Sequence, residues 1–495
     1  MSSVELATAA AQAALSDTGV DMAAVARVID TVAGIRQFEI SGRTPAPLGK
    51  SNNYPRSVAQ RIGADPARAI VEPIGGQGPQ HLVTEFAGAV AAGSCAVVML
   101  FGSENTSSLR FFEGRADKPD QSETVEGSLE DRGYGYDGIF DEYTSRTDCS
   151  APQCNTDCWR TLDGPGWAST SRTTGSAWGE LFAPFTKVAA KNPFSSSQVE
   201  RTVDELTTVT EANRMICDPY PRLLLARDQV NQGAAVLLMS AEAARRLGVP
   251  QEKWVYLRGH ADLVEQKLLG RVDVSTSPAS IMAVREALSV AGTGLDDVAT
   301  FDLYSCFPIP VFTVCDGMGL ATDDARGLTL TGGLPFFGGP GNNYSMHGIA
   351  ETVSEMRERP GQFGLVGANG GIMSKYSVGV YSTEPAEWVP DNSVALCDEV
   401  KRLPEVPVTI KADGPATIET YSVRYDWPIR TGIIMGRLDD NGRFLATSED
   451  ENLVALLSDG EPLGASIVVR TTEAGNRGTW PRNCTGAVVS ARSRP

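Results

Sequence analysis

The segment VEPIGGQGPQHLVTEFAGAVAAGSCAVVMLFGSENTSS, residues 71–108, decides the reading of this chain. Pro79 stands where a helix can begin, because a first turn does not need the N–H that proline lacks. Leu82, Val83, Phe86, Ala87 and Val90 give that helix one apolar face. Gly93 ends it, and the run CAVVMLF at residues 95–101 has the length and apolarity of a buried strand. Strand, loop, helix and strand in this order imply a parallel or mixed sheet covered by helices.

Upstream, Val4, Leu6, Ala7, Ala10, Ala11, Ala14 and Leu15 recur at helical spacing, and a second helical pattern runs over Met22, Val25, Val28, Ile29 and Val32. Residues 34–40 read as a strand. Downstream, residues 103–266 are loop-rich and charged and read as an insertion over the core. The alternation then resumes: a helix over 279–291, a strand at 299–303, a helix over 308–317, a Gly-rich loop at 332–341, a helix at 349–359, and a strand over 363–381. Two α/β halves around an insertion suggest a duplicated core. From about Pro404 the texture becomes β-like. TIETYSVRY, GIIMGRL, GRFLATS, LVALLS and ASIVVRTT read as five short strands, with Asp440–Asn441–Gly442 as a hairpin turn. The boundaries expected are 1–104 and 267–395 for the two halves, 105–266 for the insertion with the end of the first half, and 404–495 for a small β domain.

Composition narrows the function. With 495 residues the chain can bury a large core, and 42% hydrophobic with 21% charged residues excludes global disorder. Its 43 basic against 61 acidic side chains, a net of −18, disfavour a nucleic-acid partner. Nine cysteines cannot all pair within the chain, which suits reduced thiols and a cytoplasmic setting. The N-terminus lacks a signal-peptide pattern, and no apolar run is long enough for a membrane span.

Several blocks carry a family resemblance. Residues 71–108 resemble the segment in which the thiolase nucleophile opens a buried helix. FDLYSCFPIPVFTVCDGMGL resembles the His-Asp-Cys-Phe block, GGLPFFGGPGNNYSMHGIAE the Gly-His-Pro block, and GANGGIMSKYSVGVYS the Cys-x-Gly-Gly-Gly block. KVAAKNPFSSS and DPYPRLLLARDQVNQGAAVLLM resemble the loop domain and the strand leaving it. In this order the blocks are similar to the thiolase superfamily on its sterol-carrier-thiolase side. They are closest to type 1 thiolase-like proteins with an added C-terminal domain, often named acetyl-CoA acetyltransferases. The resemblance implies an α/β protein with a duplicated five-layer thiolase fold, an inserted loop domain and a C-terminal OB-like β-barrel. It implies coenzyme A or an acyl-CoA as partner, no further cofactor and no metal, and either a homodimer or a monomer.

Carried over residue by residue, the family's chemistry is missing. Counting back from Glu104, the nucleophile position falls at Gly76. The Gly-His-Pro histidine is Gly339, the His-Asp-Cys-Phe histidine is Tyr304, and the last catalytic cysteine falls near Ala368. Thiolysis needs a thiolate, a base and a second acid/base, so Cys-dependent thiolysis is expected to be absent. What the resemblance leaves as catalytic candidates are Tyr304, Tyr344, His347 and Cys306. Gly76, Gln77, Gly339, Asn369, Gly370 and Gly371 are its substrate-binding candidates, and His81 lies nearby in sequence. His260 reads as a loop histidine with a backbone partner. An acyltransferase by resemblance thus competes with a tyrosine-assisted acyl-CoA retro-aldolase, a C–C lyase, and with a non-catalytic CoA-binding or scaffold protein.

The β domain carries Tyr421, Tyr425, Trp427 and Phe444, a set that could stack single-stranded bases. Over residues 404–495, however, 10 basic against 12 acidic side chains give a net of −2, which favours a packing or covering role. Residues 145–178, with Cys149, Cys154 and Cys158, lack metal-ligand spacing and read as a segment foreign to its flanks, as a compensated frameshift would produce. The resemblance also implies a Val/Ile-rich strand before the first helix, whereas here the helical pattern begins almost at Met1; a chain without that strand would lack a piece of the first sheet.

Overall fold

The structure, a computed structural model, describes residues 1–42, 46–136, 175–460 and 462–481. It opens on α1 (Ser3–Asp17), where Ser2 and Glu5 satisfy each other's backbone N–H groups. Then come α2 (Met22–Ala26), β1 (Thr31–Ile35), α3 (Tyr54–Ile62), β2 (Arg68–Glu72), α4 (Gly78–Ala91), β3 (Val97–Glu104), α5 (Thr106–Phe111) and the short β4 (Glu130–Asp131). The strand expected over 34–40 lies instead at Thr31–Ile35, and Phe38–Ile40 form a 3-10 turn. All five residues of β1 are buried, so the strand shows no alternation by which to place it.

Beyond residue 174 follow α6 (Gly175–Lys191), α7 (Val203–Thr207), β5 (Met215–Cys217), β6 (Tyr220–Pro221), β7 (Gln232–Met239) and α8 (Ala241–Leu247). The first sheet has the order β4-β2-β1-β3-β7. Within it β1 is parallel to both β2 and β3, and β7 returns antiparallel to β3. Of the segment 145–178, Cys149, Cys154 and Cys158 lie outside the described residues. Its last residue, Trp178, belongs to α6 and packs against Tyr220.

The second half comprises β8 (Tyr256–Val264), α9 (Pro278–Ala291), β9 (Val298–Leu303), α10 (Pro308–Met318), α11 (Tyr344–Glu358), β10 (Phe363–Gly370) and β11 (Lys375–Ser382). Residues 363–381, read as one strand, form the hairpin β10–β11. The sheet order is β8-β11-β10-β9, so β8, from before residue 267, hydrogen-bonds into this second sheet. A parallel pair with an antiparallel return strand occurs in both halves, as β1–β3 with β7 and as β9–β10 with β11.

Side-chain alternation along β3 shows how the layers stack. Val97, Met99 and Phe101 face α1 and α3, where they meet Val4, Ala7, Leu15, Tyr54 and Val58. Val98 and Leu100 face the opposite way, onto Leu82, Val83 and Phe86 of α4 and Met346, Ile349 and Met356 of α11. That same cluster reaches Val366 and Tyr381 of the second sheet. The far side of the second sheet packs on Ala283, Val284 and Ala287 of α9 and on Val311 and Val314 of α10. Helices, sheet, the central pair α4 and α11, sheet and helices make five layers. Each fully buried Val, Leu, Ile, Phe or Met side chain here contributes about 1.5–3 kcal/mol.

After α12 (Ser393–Lys401) come β12 (Gly414–Asp426), β13 (Ile429–Leu438), β14 (Arg443–Ser448), α13 (Glu451–Asp459), β15 (Ser466–Thr472) and β16 (Gly475–Thr479). Pairings β12–β13, β13–β14, β14–β16, β16–β15 and β15–β12 close a five-stranded barrel. With a helix between its third and fourth strands, this is the expected OB-like barrel. The membership differs in one place: LVALLS is helical, and the fifth strand is Gly475–Thr479. Asp450 caps that helix by accepting from the Leu453 N–H, and Leu453, Val454 and Leu457 fall on one helical face, filling the barrel end. The Asp440–Asn441–Gly442 turn is as expected, with Asn441 at φ 69°. Arg424 pairs with Cys217, so β5 and β6 extend the barrel sheet. Among the described residues, no helix is long and apolar enough to cross a membrane.

Candidate functional site

Gly75, Gly76 and Gln77 form the junction between β2 and α4, at the N-terminus of a buried helix. The N-terminus of α11 comes to the same place from the other half. Ser345 Oγ donates to the Gly76 carbonyl at 2.6 Å, and the Gly75 N–H donates to Asn342 Oδ1 at 3.0 Å. Two helix N-termini thus converge on one point, where their backbone dipoles favour negative charge.

The wall opposite comes from β9 and β10. Tyr304 follows β9 directly, and its N–H donates to Gly367 O at 3.1 Å. A Cβ on Gly76 would collide with the Tyr304 hydroxyl oxygen and lie 2.6 Å from Tyr304 Cζ and 2.5 Å from Asn369 O. A Cβ on Gly370 would collide with Gln77 Oε1 and lie 3.1 Å from Gly76 N. Gly76, Gln77, Tyr304, Asn369 and Gly370 therefore meet at one spot, and Gly371 turns the chain just beyond it with φ +66°. The side-chain oxygens of Gln77 and Asn369 are buried without a hydrogen-bond partner.

Tyr304 is 9% exposed, and burial raises its phenol pKa, keeping it neutral. Its ring meets Tyr344 edge-on at 5.5 Å. Tyr344, however, spends its hydroxyl elsewhere: on Thr331 Oγ1 at 2.6 Å and on Asp302 Oδ1 at 3.4 Å. Burial and the nearby Asp302 push its pKa well up. His347, one turn further along α11, is 8% exposed, packs against Phe337 at 5.0 Å, and has Nε2 buried without a partner. Burial lowers its pKa to about 3, so the imidazole is neutral. Cys306 packs partly buried beside Tyr304 and Leu334. Gly339 stands apart from Gly76: a Cβ there would face Ala226, Arg227 O and Leu334.

The other two histidines serve different places. His81 leaves α4 toward Asp262, 3.3 Å from Nδ1, and toward Glu72 and Glu85. Burial alone would lower its pKa, but these carboxylates raise it to about 9. His260 lies in β8 rather than in a loop. It contacts Val389 O as expected of a histidine with a backbone partner, and also Asp391, and it stacks on Trp388.

Two acids were not singled out from sequence. Asp302, at the end of β9, accepts from the Leu330 and Thr331 N–H groups and from the Thr329 and Thr331 hydroxyls, and burial still raises its pKa. Glu104, at the end of β3, accepts from the Phe38 N–H at 2.9 Å and is pushed well above the usual carboxylate range by burial. Both lie in the quoted blocks, where only their Asp-x-Tyr and Ser-Glu-Asn contexts marked them. Among the described residues no three His, Cys, Asp or Glu side chains are grouped to hold a metal.

Duplicated halves, a central helix pair and an N-terminal convergence of this kind define a protein of the thiolase fold. The chain belongs to the SCP2-thiolase-like protein type 1 family. It is 59% identical to the monomeric SCP2-thiolase-like protein type 1 of Mycobacterium smegmatis, over 97% of this chain and 95% of that one, with a TM-score of 0.83. Residues 395–474 match the family described as the thiolase-like protein type 1 additional C-terminal domain. Two more distant likenesses concern the fold. One is acetyl-CoA acetyltransferase from Syntrophomonas wolfei, 15% identical over 78% of this chain and 94% of that one, TM-score 0.51. The other is the Ltp2-ChsH2(DUF35) aldolase, 19% identical over 77% and 93%, TM-score 0.55. No curated protein matches the chain.

Proposed function

We propose that this protein binds coenzyme A thioesters at the Gly76–Tyr304–Asn369 site and does not carry out thiolysis. The observation that supports this reading is the position of the Tyr304 hydroxyl, which overlaps the place where a side chain on residue 76 would begin. The position that corresponds to the thiolase nucleophile holds no thiol, and its space holds a neutral phenol. A phenol is a hydrogen-bond donor suited to a thioester oxygen, and two helix N-termini add favourable dipoles. Asn369 and Gln77 contribute neutral polar atoms. The test is an assay with acetoacetyl-CoA plus CoA: the thioester binds and no acetyl-CoA accumulates. Robust acetyl-CoA formation would overturn the reading.

A second reading, tyrosine-assisted C–C cleavage, draws on the same phenol. In a β-hydroxyacyl thioester the C2–C3 bond would break with the Tyr304 phenol as proton shuttle, its hydroxyl proton passing to C2 while its oxygen takes up the proton leaving the C3 hydroxyl, so that the phenol ends neutral as it began. Release of an aldehyde or ketone from such a thioester distinguishes this reading from binding alone. Tyr344, engaged with Thr331 and Asp302, acts in either case as a positioning residue for Tyr304. The protein acts as a monomer, as its relative does, and the odd cysteine count accords with a cytoplasmic setting.

A further inference from the structure

Arg443 of β14 is fully buried. Its guanidinium pairs with Glu419 of β12 at 2.6 and 2.8 Å and donates out of the barrel to the carbonyls of Leu269, Arg271 and Val272. Those carbonyls belong to the connection between β8 and α9. Leu269 and Val274 of that connection pack on Ile433, Met435 and Leu445 of the barrel, so the contact is apolar as well as polar.

Arg271, 3% exposed, continues the line. Its guanidinium donates to Gln266 O at 2.9 Å and to the carbonyls of Ile372 and Met373 at 3.1 and 3.0 Å. Ile372 and Met373 form the β10–β11 turn. Met373 sits at φ 45°, a conformation that a residue other than glycine keeps only when its surroundings hold it. The Ser374 N–H donates to Gly370 O, and the residue before Gly370, Asn369, presents its carbonyl to Gly76. The turn is therefore the back of the candidate site.

We infer that the C-terminal barrel sets the geometry of this site through two buried arginines, Arg443 gripping residues 269–272 and Arg271 gripping the β10–β11 turn. Arg271 is a positioning residue: its guanidinium bonds Gln266, Ile372 and Met373, and it acts on the Gly76–Tyr304 pair through the turn. A planar fork serves both grips, because each arginine bonds more than one acceptor at fixed angles. The inference is independent of which ligand the site takes.

Hydrogen–deuterium exchange on the full chain tests it, comparing wild type with Arg443→Met, Arg271→Lys and the double variant. Arg271→Lys keeps the charge and loses the fork. The expected result is exchange faster by about tenfold or more at residues 368–376 in each single variant. In Arg271→Lys the barrel strands at 429–448 keep wild-type protection, and the double variant exchanges no faster at the turn than Arg443→Met. Exchange that rises only at 266–274 and 414–448, with the turn unchanged, overturns the inference, as does a uniform rise across the chain in Arg271→Lys. If Arg443→Met does not fold, Glu419→Gln loosens the same grip from the other side and is read at the same residues.

Discussion

Tyr304 and Gly76 share one volume: the phenol oxygen of the first overlaps the position a Cβ on the second would take. Glycine at residue 76 and tyrosine at residue 304 are therefore sterically coupled. A cysteine introduced at residue 76 has no room for its side chain while Tyr304 keeps this position.

That coupling is measurable as a double-mutant cycle. Gly76→Ala should destabilise the protein by about 1–3 kcal/mol through overpacking. In a Tyr304→Ala background the same change should cost less, with a coupling energy of about 1 kcal/mol or more. Chemical denaturation of the four proteins measures this, and additivity within about 0.5 kcal/mol would show that the two side chains do not compete.

Phe86 of α4 sits fully buried in the cluster that joins both sheets through the central helices. Phe86→Ala should cost about 3–5 kcal/mol. Exposed Phe111 on α5 is the control, and Phe111→Ala should change the stability by about 0.5 kcal/mol or less. Equal losses at the two positions would contradict the layered packing.

Much of this was legible. Residues 71–108 gave strand, helix and strand because Pro79, the apolar face of α4 and the run at 95–101 are strong local signals. Asn441 and Gly442 marked the barrel hairpin for the same reason. LVALLS was misread because six residues do not separate period 2 from period 3.6, and the cap on Asp450 was the deciding signal. Gly475–Thr479 has little apolar content and was invisible as a strand. At the site, Gly76 and Tyr304 followed from the family blocks, but their overlap depends on long-range packing. Asp302 and Glu104 drew no notice because their burial belongs to the fold and not to their neighbours in sequence.

Two histidines give opposite pH dependences. His347 has its folded pKa lowered from 6.5 to about 3, so between these values the unfolded state binds more protons. Its contribution is full above pH 6.5 and is lost as pH falls toward 3. His81 has its folded pKa raised to about 9, so its contribution is full below pH 6.5 and is lost as pH rises through 9. The difference in stability between wild type and His347→Phe should vary with pH only on the acid side, and that for His81→Gln only on the alkaline side. Melting curves from pH 4 to pH 10 show this, and the same pH dependence in both variants would contradict it.

Asp450 starts the barrel helix by accepting from the Leu453 N–H at 3.0 Å. Asp450→Ala should lower stability by about 0.5–2 kcal/mol, and Asp450→Ser should recover most of it. Denaturant midpoints at constant slope check the pair, and equal loss in both variants would remove the cap as the cause.

The most direct test of the central claim is a calorimetric titration of acetoacetyl-CoA into wild type and Tyr304→Ala, with the thioester recovered and analysed afterwards. Saturable one-to-one binding to wild type, weakened about tenfold or more in Tyr304→Ala, with the thioester recovered intact, is the result expected of a thioester site built around the phenol. Absence of binding to wild type, or equal binding by both proteins, would contradict it, and conversion of the bound thioester to acetyl-CoA once free CoA is added would show that thiolysis proceeds without a cysteine at residue 76.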